Sequence, residues 1–293
     1  MCNGRCAAAI AAALLAAWPG TATAYTAAGD RNFPATTLLP QAAPADEVYV
    51  TPSTIPMEGG RASDLHETFA KTITEDLGVQ FEEGHAWLDR KHAPTLSGWL
   101  NLETTVKYIA VLDPAREALL SFGIDREWGG TGAKRVGASP LGATSPQVYF
   151  TKGLGDWDLG YLRPLAVIGN LGYQISDGHG RPDNLLTGVA VEYSIPYLQS
   201  KVAAFDLPDL VRAMTPIVET FVTTPVRNRN GNAVSATIAP GFSYSGQGWE
   251  VAVEALVPAT HAAGTGPGVI AQFHLSLDYF FPDGIGKPLL SER

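Results

Sequence analysis

Residues Gly268 to Phe281 read Gly-Val-Ile-Ala-Gln-Phe-His-Leu-Ser-Leu-Asp-Tyr-Phe-Phe. Val269, Ala271, Phe273, Leu275, Leu277, Tyr279 and Phe281 fall on one face of an extended chain, and Gln272, His274, Ser276 and Asp278 alternate with them on the other. That is period two, the spacing of a strand whose faces meet different surroundings. The apolar face is long enough for a tilted strand to cross a bilayer, and it finishes in aromatic residues, which settle at membrane interfaces. The other face is wet or packed among polar groups.

The same alternation runs through most of the chain after Gly78. Leu100, Leu102, Thr104, Val106 and Tyr108 oppose Asn101, Glu103, Thr105 and Lys107. Past the turn Asp113-Pro114-Ala115-Arg116, Ala118, Leu120, Phe122 and Ile124 oppose Ser121, Gly123, Asp125 and Glu127. An earlier strand carries Val79, Phe81 and Trp87, with a bulge expected at Glu82-Glu83-Gly84. Further strands are predicted around 148–154, 162–175, 189–195, 217–226, 233–245 and 249–257. The reading is all-β: an antiparallel transmembrane β-barrel of about ten strands over residues 62–281, an even number as single-chain barrels require. Trp87, Trp99, Trp128, Tyr173, Tyr193, Trp249 and Tyr279 lie near strand ends, where interfacial girdles form. A soluble sandwich also alternates, but it does not explain aromatic strand ends beside an apolar closing strand.

Before the strands, Arg5, the apolar run Ala7 to Trp18 and the small residues Ala22-Thr23-Ala24 follow the order of a secretory signal over residues 1–24. Residues 25–61 are rich in Ala, Pro and Thr and read as a disordered leader. Leu65, Phe69, Ile73 and Leu77 stand at helical spacing behind Ser63, which predicts a short N-terminal helix, packed under the barrel mouth or entering the lumen as a plug. A second short helix, on the periplasmic side, is expected where Leu207, Leu210, Val211 and Met214 recur. Residues 282–293 form a C-terminal periplasmic extension.

Composition narrows the partners. The formal charge is −9 and Asp and Glu outnumber Lys and Arg, 29 to 20, which argues against nucleic acid. Both cysteines, Cys2 and Cys6, lie inside the signal, so no disulfide framework, thiol nucleophile or thiolate metal site is expected after it. No run of eighteen apolar residues follows the signal, which excludes a helical inner-membrane protein.

The lumen is expected to hold Glu82, Glu103, Lys107, Asp125, Glu127, Lys152, Glu192, Glu219, Glu250, Glu254, His274 and Asp278. In a barrel of about ten strands the interior is barely wider than side chains fill, so these groups either pair into a polar plug or line a narrow, cation-preferring water path. Tyr279, Phe280 and Phe281 are expected to form the membrane-insertion signal at the rim. No metal or cofactor is expected. His66-Glu67 lacks a second His at zinc-protease spacing, and Gly129 to Arg135 fails the phosphate-loop pattern, so it reads as a flexible loop. Asp156-Trp157-Asp158 lacks the remaining ligands of a calcium loop. His179 with Asp177 and Asp183 on an outer loop, and His92 and His261 on others, leave a hydrolase open, because imidazole beside carboxylate can activate water.

The segments Leu-Glu-Thr-Thr-Val-Lys-Tyr from Leu102, Gly-Gly-Thr-Gly-Ala-Lys-Arg from Gly129, Leu-Arg-Pro from Leu162, Glu-Tyr-Ser-Ile-Pro-Tyr-Leu-Gln-Ser from Glu192 and Gly-Val-Ile-Ala-Gln-Phe-His from Gly268 carry a resemblance. Over Asp64 to Leu290 the chain resembles uncharacterised proteobacterial outer-membrane barrels grouped loosely with the phenol-degradation (meta-pathway) transporter-like family. The closing strand resembles those of bacterial outer-membrane barrels, which end in an aromatic read by the insertion machinery. The resemblance implies the outer membrane as location, lipid and the insertion machinery as partners, and passive passage or binding of small, apolar molecules. A closed barrel acting as a structural or interaction scaffold is the alternative.

Overall fold

The computed structural model describes residues 26–29, 31–179, 181–227 and 232–290. The expected signal, 1–24, lies outside them. Two short strands, β1 (Thr26–Ala28) and β2 (Arg31–Phe33), form a small hairpin. The main sheet comprises β3 (Glu47–Met57), β4 (Gly60–Thr72), β5 (Leu77–Arg90), β6 (Ala93–Trp99), β7 (Glu103–Asp113), β8 (Ala118–Glu127) and β9 (Ala143–Gly153). It continues with β10 (Leu165–Ser176), β11 (Asp183–Tyr193), β12 (Met214–Arg227), β13 (Ser235–Ser245), β14 (Trp249–Pro258) and β15 (Gly268–Ser276). All neighbours pair antiparallel, and β15 closes onto β3 through Phe273↔Val50 and His274↔Tyr49. The result is a closed barrel of 12 strands. The distal half of β5 pairs with β6 and its other half with β7, so β6 and β7 form one interrupted strand.

Both ends of the barrel sequence, Glu47 and Ser276, meet at one rim, called here the terminal rim; the opposite one is the distal rim. Outward positions form a band of exposed aliphatic and aromatic side chains, including Val106, Ile124, Leu171, Val191, Val218 and Phe273. Exposed Trp87, Trp99, Trp128 and Tyr173 edge it distally, and Trp157 and Tyr161 edge it terminally. An apolar belt between aromatic girdles is an exterior for lipid.

Twelve strands replace the ten expected because two were hidden in the N-terminal third. The predicted helix is strand β4, in full register with β5 from Gly60↔Arg90 to Thr72↔Gly78. Leu65, Phe69, Ile73 and Leu77 are spaced by four, which lies on one helix face and is also twice the strand period; spacing alone cannot separate the two. The predicted leader ends in strand β3, masked by Pro52 and Pro56. The β15–β3 ladder has no pairs at Thr51 and Pro52 between Val50↔Phe273 and Ser53↔Ile270, and Pro56 lies past its end at Thr54↔Val269. The missing N–H groups therefore fall where no ladder bond is made. The bulge expected at Glu82–Gly84 is absent, since register with β4 is continuous there.

Strand β15 follows its predicted alternation only to Ser276; Leu277–Phe280 turn into one helical turn, and Leu277 donates its N–H to the Asp46 carbonyl at 2.8 Å. The expected extension folds back: Leu290 N–H donates to the Ile73 carbonyl at 2.8 Å and Lys71 Nζ to the Lys287 carbonyl at 2.6 Å. The terminal-rim connector between β11 and β12 carries helical turns at Ile195–Tyr197 and Asp209–Arg212.

Candidate functional site: a plugged lumen and its vestibule

The described residues of 26–46, irregular apart from the β1–β2 hairpin, enter the lumen at the terminal rim where Arg31 meets Pro164, rise to an apex near Leu38 and return to Glu47. Their composition suits the place. Ala28, Phe33 and Leu39 pack with Ala166, Ile168, Ala190 and Ile217, while Ala42 and Ala43 pack with Leu119 and Tyr149. Small side chains let an irregular backbone lie close to the wall. Such a backbone has few ladder partners, so its buried N–H and C=O groups need others.

The wall supplies them. The Glu219 carboxylate accepts three plug N–H groups, from Thr37 at 2.8 Å, Leu38 at 3.0 Å and Leu39 at 2.8 Å. Buried Arg31 donates to the Pro164 carbonyl at 2.5 Å, pairs with Glu192 at 3.4 Å and stacks 4.8 Å from the Tyr197 ring. Gln272 Nε2 donates to the Thr36 carbonyl at 3.4 Å, and Lys107 Nζ to the Gln41 carbonyl. At the exit Asp46 pairs with Lys71 and accepts from Thr72 N–H at 2.9 Å. Glu47 and His274 lie 2.7 Å apart across the closing seam.

Gly188, on β11, shows how tight this fit is. A Cβ there would lie 2.2 Å from Asn170 Oδ1 and 2.8 Å from Leu39 Cγ, so no side chain fits between wall and plug. Gly188→Ala is expected to weaken plug docking by about 1–3 kcal/mol, the usual cost of overpacking. Limited proteolysis should then cut within 26–46 about five- to 150-fold faster, with unchanged heat-modifiable mobility of the barrel; equal cleavage rates would refute it.

Distal to the apex the lumen opens into a cavity of about 520 Å³, floored by Thr36 to Pro40. One wall is acidic: Asp64, Glu82, Glu103 and Asp125, with His66 among them. His66 Nδ1 lies 2.8 Å from Glu82, Ser53 donates to Asp64 at 2.6 Å and Thr105 to Asp125 at 3.2 Å. The opposite wall is Leu186, Phe221, Leu256 and Ile270.

The residues expected in the lumen therefore separate into groups. Glu82, Glu103, Lys107 and Asp125 line the vestibule. Glu192, Glu219, Glu250, Glu254 and His274 are buried in the terminal half of the wall, each at most 2% exposed. Glu127 lies at the distal mouth, accepting from Arg181 at 2.7 Å and from Asn101 at 2.7 Å. Two expectations need correction. Lys152 points away from the lumen, because the inward positions of β9 are odd-numbered, as Gln147 and Tyr149 show; it binds Asp156 at 2.5 Å and sits over Trp157. Asp278 is exposed on the helical turn at the terminal rim, since the strand has ended at Ser276. Tyr279 and Phe280 share that turn, and Phe281 follows it, exposed.

The outer-loop carboxylates beside His179 are engaged elsewhere. Asp177 forms a two-pronged pair with Arg126 at 3.0 and 2.5 Å, and the guanidinium holds its carboxyl below the usual carboxylate range. Asp183 accepts the Ser176 N–H at 3.0 Å and faces Arg227. The Gly129–Arg135 loop is tied to β6, with Ala133 N–H donating to the Trp99 carbonyl at 2.8 Å. Among the described residues no three His, Cys, Asp or Glu side chains are placed to hold a metal ion.

A plug is expected, if anywhere, from the segment carrying Leu65 to Leu77; that segment is wall, and the plug comes instead from the part of the chain expected to be a disordered leader. Its signal was present as pairs of residues far apart, Arg31 with Glu192 and Thr37 to Leu39 with Glu219, and no local periodicity reports such pairs.

Comparison with known proteins gives the fold a wider setting. The COG4313 outer membrane channel from Pseudomonas putida F1 superposes with a TM-score of 0.52 at 12% identity, covering 84% of this chain and 99% of that one. The fold is that of an outer-membrane β-barrel. KdgM porin in complex with disordered oligogalacturonate (TM-score 0.46, 10% identity, covering 78% of this chain and 98% of that one) and LpxR from Salmonella typhimurium (0.47, 8%, 78% and 99%) are more distant in shape. At these identities the likeness is one of fold. No protein family and no curated protein sequence matches the chain.

Proposed function

We propose that this barrel is an outer-membrane channel that takes small molecules into its distal vestibule and passes them when the plug apex withdraws. The observation that carries the reading is the cavity of about 520 Å³, whose floor is the chain's own Thr36 to Pro40. An irregular segment hung on a few side-chain latches is released at lower cost than any strand of the wall. In this reading the terminal rim faces the periplasm, the apolar belt contacts outer-membrane lipid, and Tyr279, Phe280 and Phe281 serve as the signal for the barrel-insertion machinery. The sequence resemblance to the phenol-degradation pathway transporter-like family supports small-molecule passage over other uses.

A second reading, a closed scaffold, is favoured by how fully the plug fills the terminal half of the lumen. A tether separates the two. Leu38 packs against the wall cluster that contains Leu256, and the sequence has no cysteine after Cys6, so Leu38→Cys with Leu256→Cys gives one addressable pair. In liposomes the channel reading expects solute entry that falls on oxidation and returns on reduction. A correctly assembled barrel passing no solute in either state would leave the scaffold.

A further inference from the structure

The vestibule is two-faced, and that asymmetry selects a class of occupant. On the acidic side Glu82 pairs across the sheet with Glu103, and Thr105 with Asp125, so three carboxylates stand on adjacent strands. Asp64 adds a fourth. Glu82 is met by His66, Asp64 by His66 and Ser53, and Asp125 by Thr105, whereas the Glu103 carboxylate has no hydrogen-bond or ion-pair partner among the described residues. The nearby cation, Lys107, is spent: its ammonium donates to the plug carbonyl of Gln41 and lies 4.6 Å from the Tyr149 ring. Opposite stand Leu186, Phe221, Leu256 and Ile270, and Leu38 and Leu39 extend that apolar surface onto the floor. Gln272, only 4% exposed, joins the two sides from the closing seam. Its Nε2 donates to the Thr36 carbonyl at 3.4 Å and to Thr51 Oγ1 at 3.2 Å, which ties the plug floor to the seam.

We propose that the vestibule binds amphipathic organic cations, with an ammonium group against Glu103, Asp125 and Glu82 and an apolar or aromatic body against Leu186, Phe221, Leu256 and Ile270. A wholly apolar solute would strip water from four carboxylates and return nothing to them, and an anion would be repelled. A small inorganic cation would leave the apolar wall wet. A primary or quaternary amine on a compact hydrocarbon satisfies both walls at once. The cavity volume suits a single-ring molecule with a short chain. This inference rests on the vestibule being the solute site of the proposed channel.

The test uses the full barrel in lipid nanodiscs and three probes of one shape: phenethylammonium, 2-phenylethanol and 3-phenylpropanoate, titrated by calorimetry. Phenethylammonium is expected to bind on the order of tenfold more tightly than the alcohol, with the carboxylate weakest. Glu103→Gln should remove most of that preference while leaving the alcohol's affinity unchanged, and Phe221→Ala should weaken amine and alcohol alike. Asp125→Asn serves as the second variant should Glu103→Gln fail to assemble. Equal affinity for amine and alcohol, or equal loss of both on Glu103→Gln, would overturn the cation reading and leave the vestibule as a binding site. No binding of any probe by a barrel of normal heat-modifiable mobility would overturn the solute-site reading with it.

Discussion

Replacing Glu219 with alanine is expected to open the lumen. Its carboxylate accepts three N–H groups from Thr37, Leu38 and Leu39 at the plug apex, and the variant leaves all three without an acceptor in a buried setting. A hydrogen bond to a charged group contributes about 1.5–3 kcal/mol, and an orphaned buried donor costs about as much. Because the three share one carboxylate they do not simply add, so about 4 kcal/mol is a fair total, close to a thousandfold shift in apex docking. The ends of the plug keep Arg31 with Glu192 and Asp46 with Lys71, so the apex should loosen while the segment stays tethered. Planar-bilayer recordings should show openings in the variant that the parent makes rarely, and protease should reach Thr36 to Gln41. Glu219→Gln, which keeps an acceptor oxygen but no charge, should fall between. Traces from Glu219→Ala that match the parent, with equal protease resistance, would mean the apex is held by its apolar packing alone.

Leu171→Arg is expected to produce the largest loss of stability. Leu171 stands midway along β10, on the outward face and 52% exposed. In water that exposure would be harmless, but in a bilayer an arginine near the midplane of a barrel costs about 2–4 kcal/mol. Urea unfolding of the barrel in vesicles, followed by heat-modifiable mobility, should give a markedly lower midpoint. Gln80→Arg, which points into the acidic vestibule, is the matched control and should change the midpoint little. Equal midpoints for the two variants would mean that the outward belt does not face lipid.

Alternation was enough to reveal the barrel because most strands have one apolar and one polar face, and that contrast is written at every second residue. It placed β8, β13 and β14 nearly to their ends and separated inward Glu192, Glu219, Glu250 and Glu254 from outward Val189, Val191 and Val218. It failed where a pattern served two periods, as at Leu65 and Phe69, and where prolines broke the pattern without breaking the strand, as at Pro52 and Pro56. The last strand also stops at Ser276 while the alternation continues to Phe281, because the N–H of Leu277 donates to the Asp46 carbonyl and the chain turns.

By itself the sequence determined the all-β barrel class, the outward apolar belt and the inward direction of most of the acidic residues, because each follows from neighbours two positions apart; Asp278 escaped it because the strand ends at Ser276. Which acids serve the plug and which face open space was decided only in three dimensions. Glu219 and Glu103 look alike along the chain; one meets three backbone donors from a segment 180 residues away, and the other meets a cavity. Strand number decided the rest. Twelve strands enclose a lumen wide enough for a returning chain segment and a vestibule of about 520 Å³ beside it, since the diameter of a closed sheet grows with each strand added to its circumference.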